Sequence, residues 1–297
     1  MKKVLILIST YNGEKYINEQ IESLVNQQNV DISILVRDDG STDKTKEILQ
    51  KWKLKGVLEW YEGENIRPAK SFLDLMKKAQ VYEFYAFCDQ DDIWEKEKLN
   101  VAINKLEKID KTKPALYYST TKMVDENLKY IEGQKRDLRV FTFGEALTRN
   151  NVTGCTMVFN KSLIDLVNLY SPSNLMMHDH WVYLICQAFN GNIVFDSQSY
   201  IKYRQHESNA VGGNLKLRQK IKTSFLFSNR NIRQMQAIEI IKGYKDIIPI
   251  ENAALLQEIA NYKKSFKQQL ALVINKKFRT NSKYDILFII SVIMKKY

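Results

Sequence analysis

The chain has 297 residues, 44% of them hydrophobic and 27% charged, a balance that suits a globular protein with a substantial core. Its three cysteines, Cys88, Cys155 and Cys186, lie far apart in apolar surroundings without CxxC spacing, which argues against a disulfide framework or a zinc site and fits a reducing, cytosolic setting. The formal charge of +11 is uneven: residues 1–215 hold 28 Lys+Arg and 29 Asp+Glu, net −1, and residues 216–297 hold 17 and 5, net +12. A neutral region joined to a basic tail is not a groove of interleaved basic and aromatic residues, so no nucleic-acid partner is expected.

The apolar run Val4 to Ile8 follows two lysines, is too short for a signal-peptide core, and reads as a buried strand. Beyond Gly13, the residues Ile17, Ile21, Leu24 and Val25 share one helical face. A second strand covers Ile32 to Val36, and the Asp39 to Asp43 turn supplies Ser and Thr caps for a helix reaching about Trp52. A third strand is read at Val57 to Tyr61, and Pro68 fits the first turn of a helix that presents Phe72, Leu75, Met76 and Ala79. Strand four, Phe84 to Cys88, runs into an acidic cluster, followed by a helix with Leu99, Ile103, Leu106 and Ile109 on its apolar side. This alternation predicts an α/β domain over 1–215, a mostly parallel central sheet flanked by helices, with a basic, α-helical C-terminal region over 216–297.

In an open α/β sheet, ligands bind beyond the carboxyl ends of the strands. Three polar clusters stand there, Ser9-Thr10-Tyr11-Asn12, Arg37-Asp38-Asp39-Gly40-Ser41 and Asp89-Gln90-Asp91-Asp92, and they are expected to converge on one crevice. Neither GxGxxG nor GxxxxGK[ST] is present, so phosphate must be held another way. Crowded carboxylates repel unless a cation neutralises them, and oxygen ligands suit Mg²⁺ or Mn²⁺, which would also bridge a substrate diphosphate. A solvated acidic loop capping the next helix is the alternative; placement directly after an apolar strand, in register with the other clusters, outweighs it.

Ser-Thr-Tyr-Asn at 9–12, Asp-Asp-Gly-Ser-Thr-Asp at 38–43, Asp-Gln-Asp-Asp-Ile-Trp at 89–94 and His-Asp-His-Trp at 178–181 occur in that order, and with them the chain resembles the family 2 glycosyltransferases, inverting enzymes of the GT-A fold. The resemblance implies a dTDP- or UDP-linked sugar donor, with Ser9, Thr10 and Tyr11 against the nucleotide and Asp39, beside Asp38, on the pyrimidine base. It implies that Asp89 and Asp91 form the metal-binding DxD next to the donor, with Asp92 in support. The general base it points to is Asp179, for which a plain N-cap is the alternative. His180 and Trp181 stand where other members often carry further acidic residues, so the assignment rests on Asp179 alone, and Trp181 becomes a candidate for the acceptor or sugar pocket.

The segment Asn151 to Asn160 resembles the stretch beneath donor sugar and acceptor, making Thr153 and Gly154 candidate contacts; the other reading is a turn with Cys155, Met157 and Phe159 as core. Tyr203-Arg204-Gln205-His206 follows a β-like run at Tyr200 to Lys202 and opens the polar stretch Glu207 to Asn214, read as a mobile loop. Relatives place a metal-shell histidine and a diphosphate-contacting arginine in this neighbourhood, which nominates His206 and Arg204; an ordinary surface or core histidine stays open.

DQDDIW, HDHW and YRQH together resemble the bacterial rhamnosyltransferase branch, which implies dTDP-L-rhamnose and an acceptor that is a saccharide or is carried on a polyprenyl diphosphate, in cell-surface polysaccharide synthesis. Other dTDP- or UDP-sugars stay open, because pocket shape sets the sugar. In the tail, Leu255, Ile259, Tyr262, Phe266 and Leu270 alternate with Lys263, Lys264 and Lys267, and Lys276, Lys277, Arg279 and Lys283 precede the apolar Ile286 to Met294. Two readings follow: a helical segment on anionic lipid at the inner face of the cell membrane, or an appendage packed on the catalytic domain with a solvated basic face. No segment approaches the roughly 20 apolar residues of a spanning helix. A sugar nucleotidyltransferase would need a basic glycine-rich loop after strand one, and Ser9 to Gly13 has no Lys or Arg. A non-catalytic binder would have no need for Asp89, Asp91 and Asp179 together.

Overall fold

The computed structural model describes residues 1–110, 112–132, 139–206, 231–282 and 284–297. Its N-terminal part follows the expected alternation: β1 (Lys2–Thr10), α1 (Ile17–Val25), β2 (Val30–Asp38), α2 (Thr45–Leu54), β3 (Glu59–Glu62), α3 (Arg67–Lys78) and β4 (Phe84–Cys88). β1 pairs in parallel with both β2 and β4, and β2 in parallel with β3. Val4 to Ile8 are at most 4% exposed because both faces of β1 are covered. Alternate residues feed two cores: Val4, Ile6 and Ile8 meet α1, α2 and the later helix α4 (Lys98–Leu106), whereas Leu5 and Leu7 meet the α3 side.

The remaining strands add an antiparallel component that the reading of short apolar runs does not supply. β5 (Ile93–Trp94), β6 (Ala115–Val124), β7 (Val158–Asn160) and β8 (Asn192–Arg204) complete an eight-stranded sheet of order β3-β2-β1-β4-β7-β6-β8-β5. β7 runs antiparallel to β4 and β6, and β5 antiparallel to β8, while β6 and β8 pair in parallel with two register shifts. On the second face lie α5 (Phe143–Thr148), α6 (Lys161–Asn168) and α7 (His178–Ala188).

The C-terminal region forms α8 (Ile232–Tyr244), α9 (Ile250–Asn261), α10 (Phe266–Ile274) and α11 (Tyr284–Ile293). Leu256, Ile259, Tyr262, Leu272, Phe278, Phe288, Val292 and Tyr297 belong to the same apolar cluster as Leu5, Leu7 and Trp181, so these helices pack on the sheet domain through a shared core. Polar ties reinforce the junction: Tyr297 Oη donates to the Leu147 carbonyl (2.8 Å), and Glu239 accepts from Tyr170 Oη (2.6 Å). The stripe expected to run from Leu255 to Leu270 is divided by a break after Asn261. Leu255, Ile259 and Tyr262 face the core, whereas Phe266 and Leu270 are 77% and 47% exposed. The expected boundary at 215/216 and the stretch Glu207 to Asn214 lie outside the described residues. Among the described residues, no helix is long and apolar enough to cross a membrane.

Candidate active site

Register brings the three polar clusters to one level of the sheet, because Thr10 stands opposite Asp38 and Ile8 opposite Cys88. They are then sewn together. Gln90 Oε1 accepts from Thr10 Oγ1 (2.6 Å) and from the Tyr11 amide (2.9 Å). The Asn12 amide donates to Ser41 Oγ (2.9 Å) and the Gly13 amide to Thr45 Oγ1 (2.8 Å). A Cβ on Gly13 would lie 2.6 Å from Gln90 Oε1, so only glycine admits this crossing. Asp38 is fully buried and folds its own loop, accepting from the Gly40 and Ser41 amides and from Ser41 Oγ; Gly40 takes the left-handed φ of 79° that the turn requires.

Asp39 sits on the floor of the crevice, 2% exposed, ion-paired with Arg37 and accepting from Ser71 Oγ (2.9 Å). Ser71 Oγ also meets Ser9 Oγ at 2.7 Å, and Arg37 Nε donates to Asp74 Oδ2 (3.0 Å), which in turn accepts from Tyr61 Oη (2.8 Å). Tyr11, 46% exposed, is the aromatic ring left at the rim. The sequence places Gln90 in the acidic cluster without a role and gives no sign of Ser71 or Asp74. Ser71 and Asp74 lie on the α3 face that meets β1 and β2, a signal visible only once that helix is docked.

The acidic cluster is electrostatically crowded. Burial, then the charges of Asp91 and Asp179, push the Asp89 carboxyl up to about 7. Asp92 is 1% exposed and pushed well up by burial and by Asp91 and Asp89; its Oδ1 accepts from the Arg204 amide (3.0 Å) and its Oδ2 has no partner among the described residues. Lys98, buried with its ammonium 3.5 Å over the Trp94 ring, is pushed down to about 8 by burial.

Asp89, Asp92 and Cys155 offer ligand atoms within 4.8 Å of one another. Burial drives the Cys155 thiol well up, so it stays protonated and is a poor ligand for a hard ion, whereas the carboxylates suit Mg²⁺ or Mn²⁺. Asp91 and His206, expected to join Asp89 in the shell, pair with each other instead, Asp91 Oδ2 to His206 Nε2 at 2.8 Å. The charge crowding and the unpartnered Asp92 Oδ2 fit a divalent cation at this loop.

Asp179 stands in the first turn of α7 and is 8% exposed. It is not an N-cap: Met177 holds that position, and the Asp179 carboxylate accepts from the His180 amide (2.6 Å) and the Gly154 amide (3.1 Å). Gly154 is needed here because a Cβ would lie 2.8 Å from His178 Nε2. Cys155, Met157 and Phe159 are fully buried, as the core reading of that segment has it, while Thr153 is half-buried at its edge. His178 stacks on Phe72 with 3.9 Å between ring centroids, and burial pushes it down to about 3.

Two placements correct the sequence reading. Trp181 is fully buried in the core, so its indole cannot line an open pocket. The Arg204 side chain is 3% exposed and is spent on structure: Nε donates to the Asp91 carbonyl (2.9 Å), Nη1 to the Glu126 carbonyl (2.7 Å) and Nη2 to Glu19 (2.5 Å). It braces the acidic loop from beneath rather than facing a diphosphate. The cause is the β5–β8 pairing, which lays Ile93 and Trp94 along Lys202 and Ile201 and carries Arg204 and His206 to the loop.

Comparison with known proteins accords with this geometry. Similarity of fold is seen to residues 1–349 of Staphylococcus aureus TarS in complex with UDP-GlcNAc (20% identity, TM-score 0.63, covering 99% of this chain and 82% of that one). It is also seen to the mannosyltransferase PcManGT from Pyrobaculum calidifontis in complex with GDP-Man and Mn²⁺ (16% identity, TM-score 0.55, covering 99% and 80%). In sequence, the chain is 31% identical over 252 residues to the dTDP-rhamnosyl transferase RfbG of Shigella flexneri, covering 76% of this chain and 81% of that protein. Residues 5–166 match the family described as Glycosyl transferase family 2. With that match spanning the three interlocked loops and β4, the chain belongs to glycosyl transferase family 2 and has the GT-A fold.

Proposed function

We propose that this glycosyltransferase moves L-rhamnose from dTDP-L-rhamnose, with inversion, onto a saccharide or polyprenyl-diphosphate-linked acceptor in cell-surface polysaccharide synthesis. The observation that carries the chemistry is that the Asp179 carboxylate is fixed by the Gly154 and His180 amides and its charge, after burial and Asp91, adds to the crowding at Asp89. A base and an acidic donor-side group thus share one crevice. The acceptor oxygen attacks the anomeric carbon as its proton passes to the Asp179 carboxylate, and the bond from that carbon to the diphosphate oxygen breaks with its electron pair leaving on the diphosphate. Mg²⁺ or Mn²⁺, when bound by Asp89 and Asp91 with His206 alongside, supplies charge stabilisation to that leaving group. Ser9 and Asp39, held by Ser71 and Arg37, and Thr10 and Tyr11, held by Gln90, form the nucleotide face beside Asp38, and Thr153 and Gly154 border the sugar.

The rhamnosyl assignment is supported by the 31% identity to RfbG. Cytoplasmic work at the inner membrane face belongs to the same reading, supported by the net charge of +12 in residues 216–297. The decisive test incubates the protein with dTDP-L-rhamnose, UDP-GlcNAc and UDP-glucose, each with Mn²⁺, Mg²⁺ or chelator, and follows release of nucleoside diphosphate. Metal-dependent release from dTDP-L-rhamnose is expected; preference for a UDP-hexose replaces the donor, and no release from any donor removes the enzymatic reading.

A further inference from the structure

The outer faces of α10 and α11 carry apolar side chains that no described part of the chain covers. On α10, Phe266, Leu270 and Ile274 recur every four residues and are 77%, 47% and 67% exposed. On α11, Ile286, Ile290 and Ile293 are 61%, 36% and 59% exposed. The two helices pack on each other, and Gln269 of α10 donates to the Val292 and Ile293 carbonyls (2.8 and 2.9 Å), so the stripes lie side by side. Soluble monomers rarely expose contiguous apolar patches beyond a few hundred Å² without a partner.

The surroundings of this patch are cationic. Residues 261–297 hold nine basic side chains and one acidic one, Asp285. Lys263 and Lys295 come near enough that, after burial, the Lys295 charge helps to push the Lys263 ammonium down. Beside α11 opens a cavity of about 210 Å³ whose lining includes the basic Arg149, Arg233 and Lys296, with Tyr284 and the acidic Asp285. Arg233 Nη1 has no hydrogen-bond partner among the described residues.

Lys295 carries a further signal. α11 ends in a paired turn in which the Lys296 amide donates to the Ser291 carbonyl (2.8 Å) and the Lys295 amide to the Val292 carbonyl (3.0 Å), with Lys295 in the left-handed conformation at φ 54°. That position favours glycine. A lysine there places charge at the edge of the apolar face despite the backbone cost.

We propose that the α10–α11 face is the seat of an anionic lipid surface, with Phe266, Leu270, Ile274, Ile286, Ile290 and Ile293 dipping into the interface and the surrounding lysines and the Arg149–Arg233–Lys296 cavity taking lipid phosphates. Protein–protein interface cores are depleted in lysine, and two copies of so cationic a surface repel, so a second copy of this chain fits the face less well. At about 15 Å, α11 is half the thickness of a bilayer core, which suits lying in the interface rather than crossing it. This specifies the membrane contact within the function proposed above but rests on none of its catalytic residues.

The test is flotation of the full chain with phosphatidylglycerol–phosphatidylcholine vesicles and with phosphatidylcholine alone, with nucleotide-sugar hydrolysis followed separately in vesicle-free buffer. Binding is expected only to the anionic vesicles and to weaken with salt. The pair Phe266→Ser and Ile290→Asp should lower it by more than tenfold while hydrolysis is unchanged. Lys295→Gly should weaken binding and raise the thermal midpoint, a combination that a purely structural role for Lys295 does not produce. Equal binding to neutral vesicles, or binding unmoved by these variants, overturns the proposal. So does light scattering that shows an oligomer broken by Phe266→Ser and Ile290→Asp with no vesicle binding. Hydrolysis lost in the wild type with anionic binding intact would sink the donor reading alone.

Discussion

The two sides of the crevice are built differently. On the nucleotide side, Thr10, Tyr11, Asn12, Gly13, Asp38, Ser41, Thr45 and Gln90 spend their polar groups on one another, so the loops form a closed hydrogen-bonded frame. On the side proposed for transfer, Asp92 Oδ2 and both His178 ring nitrogens are buried without partners among the described residues. Asp89 there is pushed up to about 7 by burial and then by the charges of Asp91 and Asp179. The contrast teaches that shape recognition is assigned to a rigid, satisfied frame, while charge is concentrated where substrate and cation must do the compensating.

Breaking the transfer side should give the largest effect. Asp179→Asn is expected to lower turnover by about 10² to 10⁴-fold through loss of the proton acceptor, and its amide nitrogen would face the Gly154 or His180 N–H; near-normal turnover with steady donor binding would reassign the base. Next comes the cation. Because Asp89 is raised to about 7, a proton competes with metal below that pH, so Mn²⁺ should raise the thermal midpoint more at about pH 8 than at about pH 6. Asp89→Asn should remove the metal-induced rise, and an equal rise at both pH values would show that this carboxyl is not a ligand.

On the nucleotide side, Gln90→Ala strips the partner from Thr10 Oγ1 and the Tyr11 amide. A loss of about 1 to 3 kcal/mol in stability is expected, with roughly tenfold weaker dTDP binding by titration calorimetry; unchanged nucleotide affinity would mean that the frame is not what positions the nucleotide. A pH scan sharpens the contrast further. His178 and His180 are pushed down to about 3 by burial, against about 6.5 when unfolded. The unfolded chain therefore binds protons that the folded one refuses, and their contribution to stability is complete above about pH 6.5 and lost as pH falls toward about 3. Urea midpoints measured at descending pH should fall through that window, and less steeply in His178→Phe. The smallest effect is reserved for Trp181→Phe: about 1 to 3 kcal/mol of stability with acceptor KM unmoved, whereas a raised KM would return the indole to the pocket.

Much of this was legible in the sequence, and the reasons are local. Val4 to Ile8 and Phe84 to Cys88 are continuous apolar runs, and such runs become strands covered on both faces. The convergence of the three clusters followed from parallel pairing alone. The other half was hidden because its strands are short, interrupted or curved. β5 has two residues and β7 three, and β6 and β8 slip register around Thr120. Trp181 misled because a helix that is buried nearly all round, as α7 is, leaves no periodic clue to which residue faces a pocket. Arg204 misled because its partners Glu19, Asp91 and Glu126 are scattered along the chain, and motif spacing carries no information about such contacts.

That scatter bears on how the protein comes into being. The Asp91 carbonyl waits for a guanidinium 113 residues downstream, and the same side chain reaches Glu19, 185 residues back. Contacts of such separation carry a loop-closure entropy cost before they stabilise anything. A nascent chain that has emerged as far as β5 holds Gln90 and the acidic loop but not yet the Arg204 brace. The geometry of the acidic loop therefore depends on a strand made more than a hundred residues after it, and a chain without the end of β8 would lack the Arg204 brace beneath that loop.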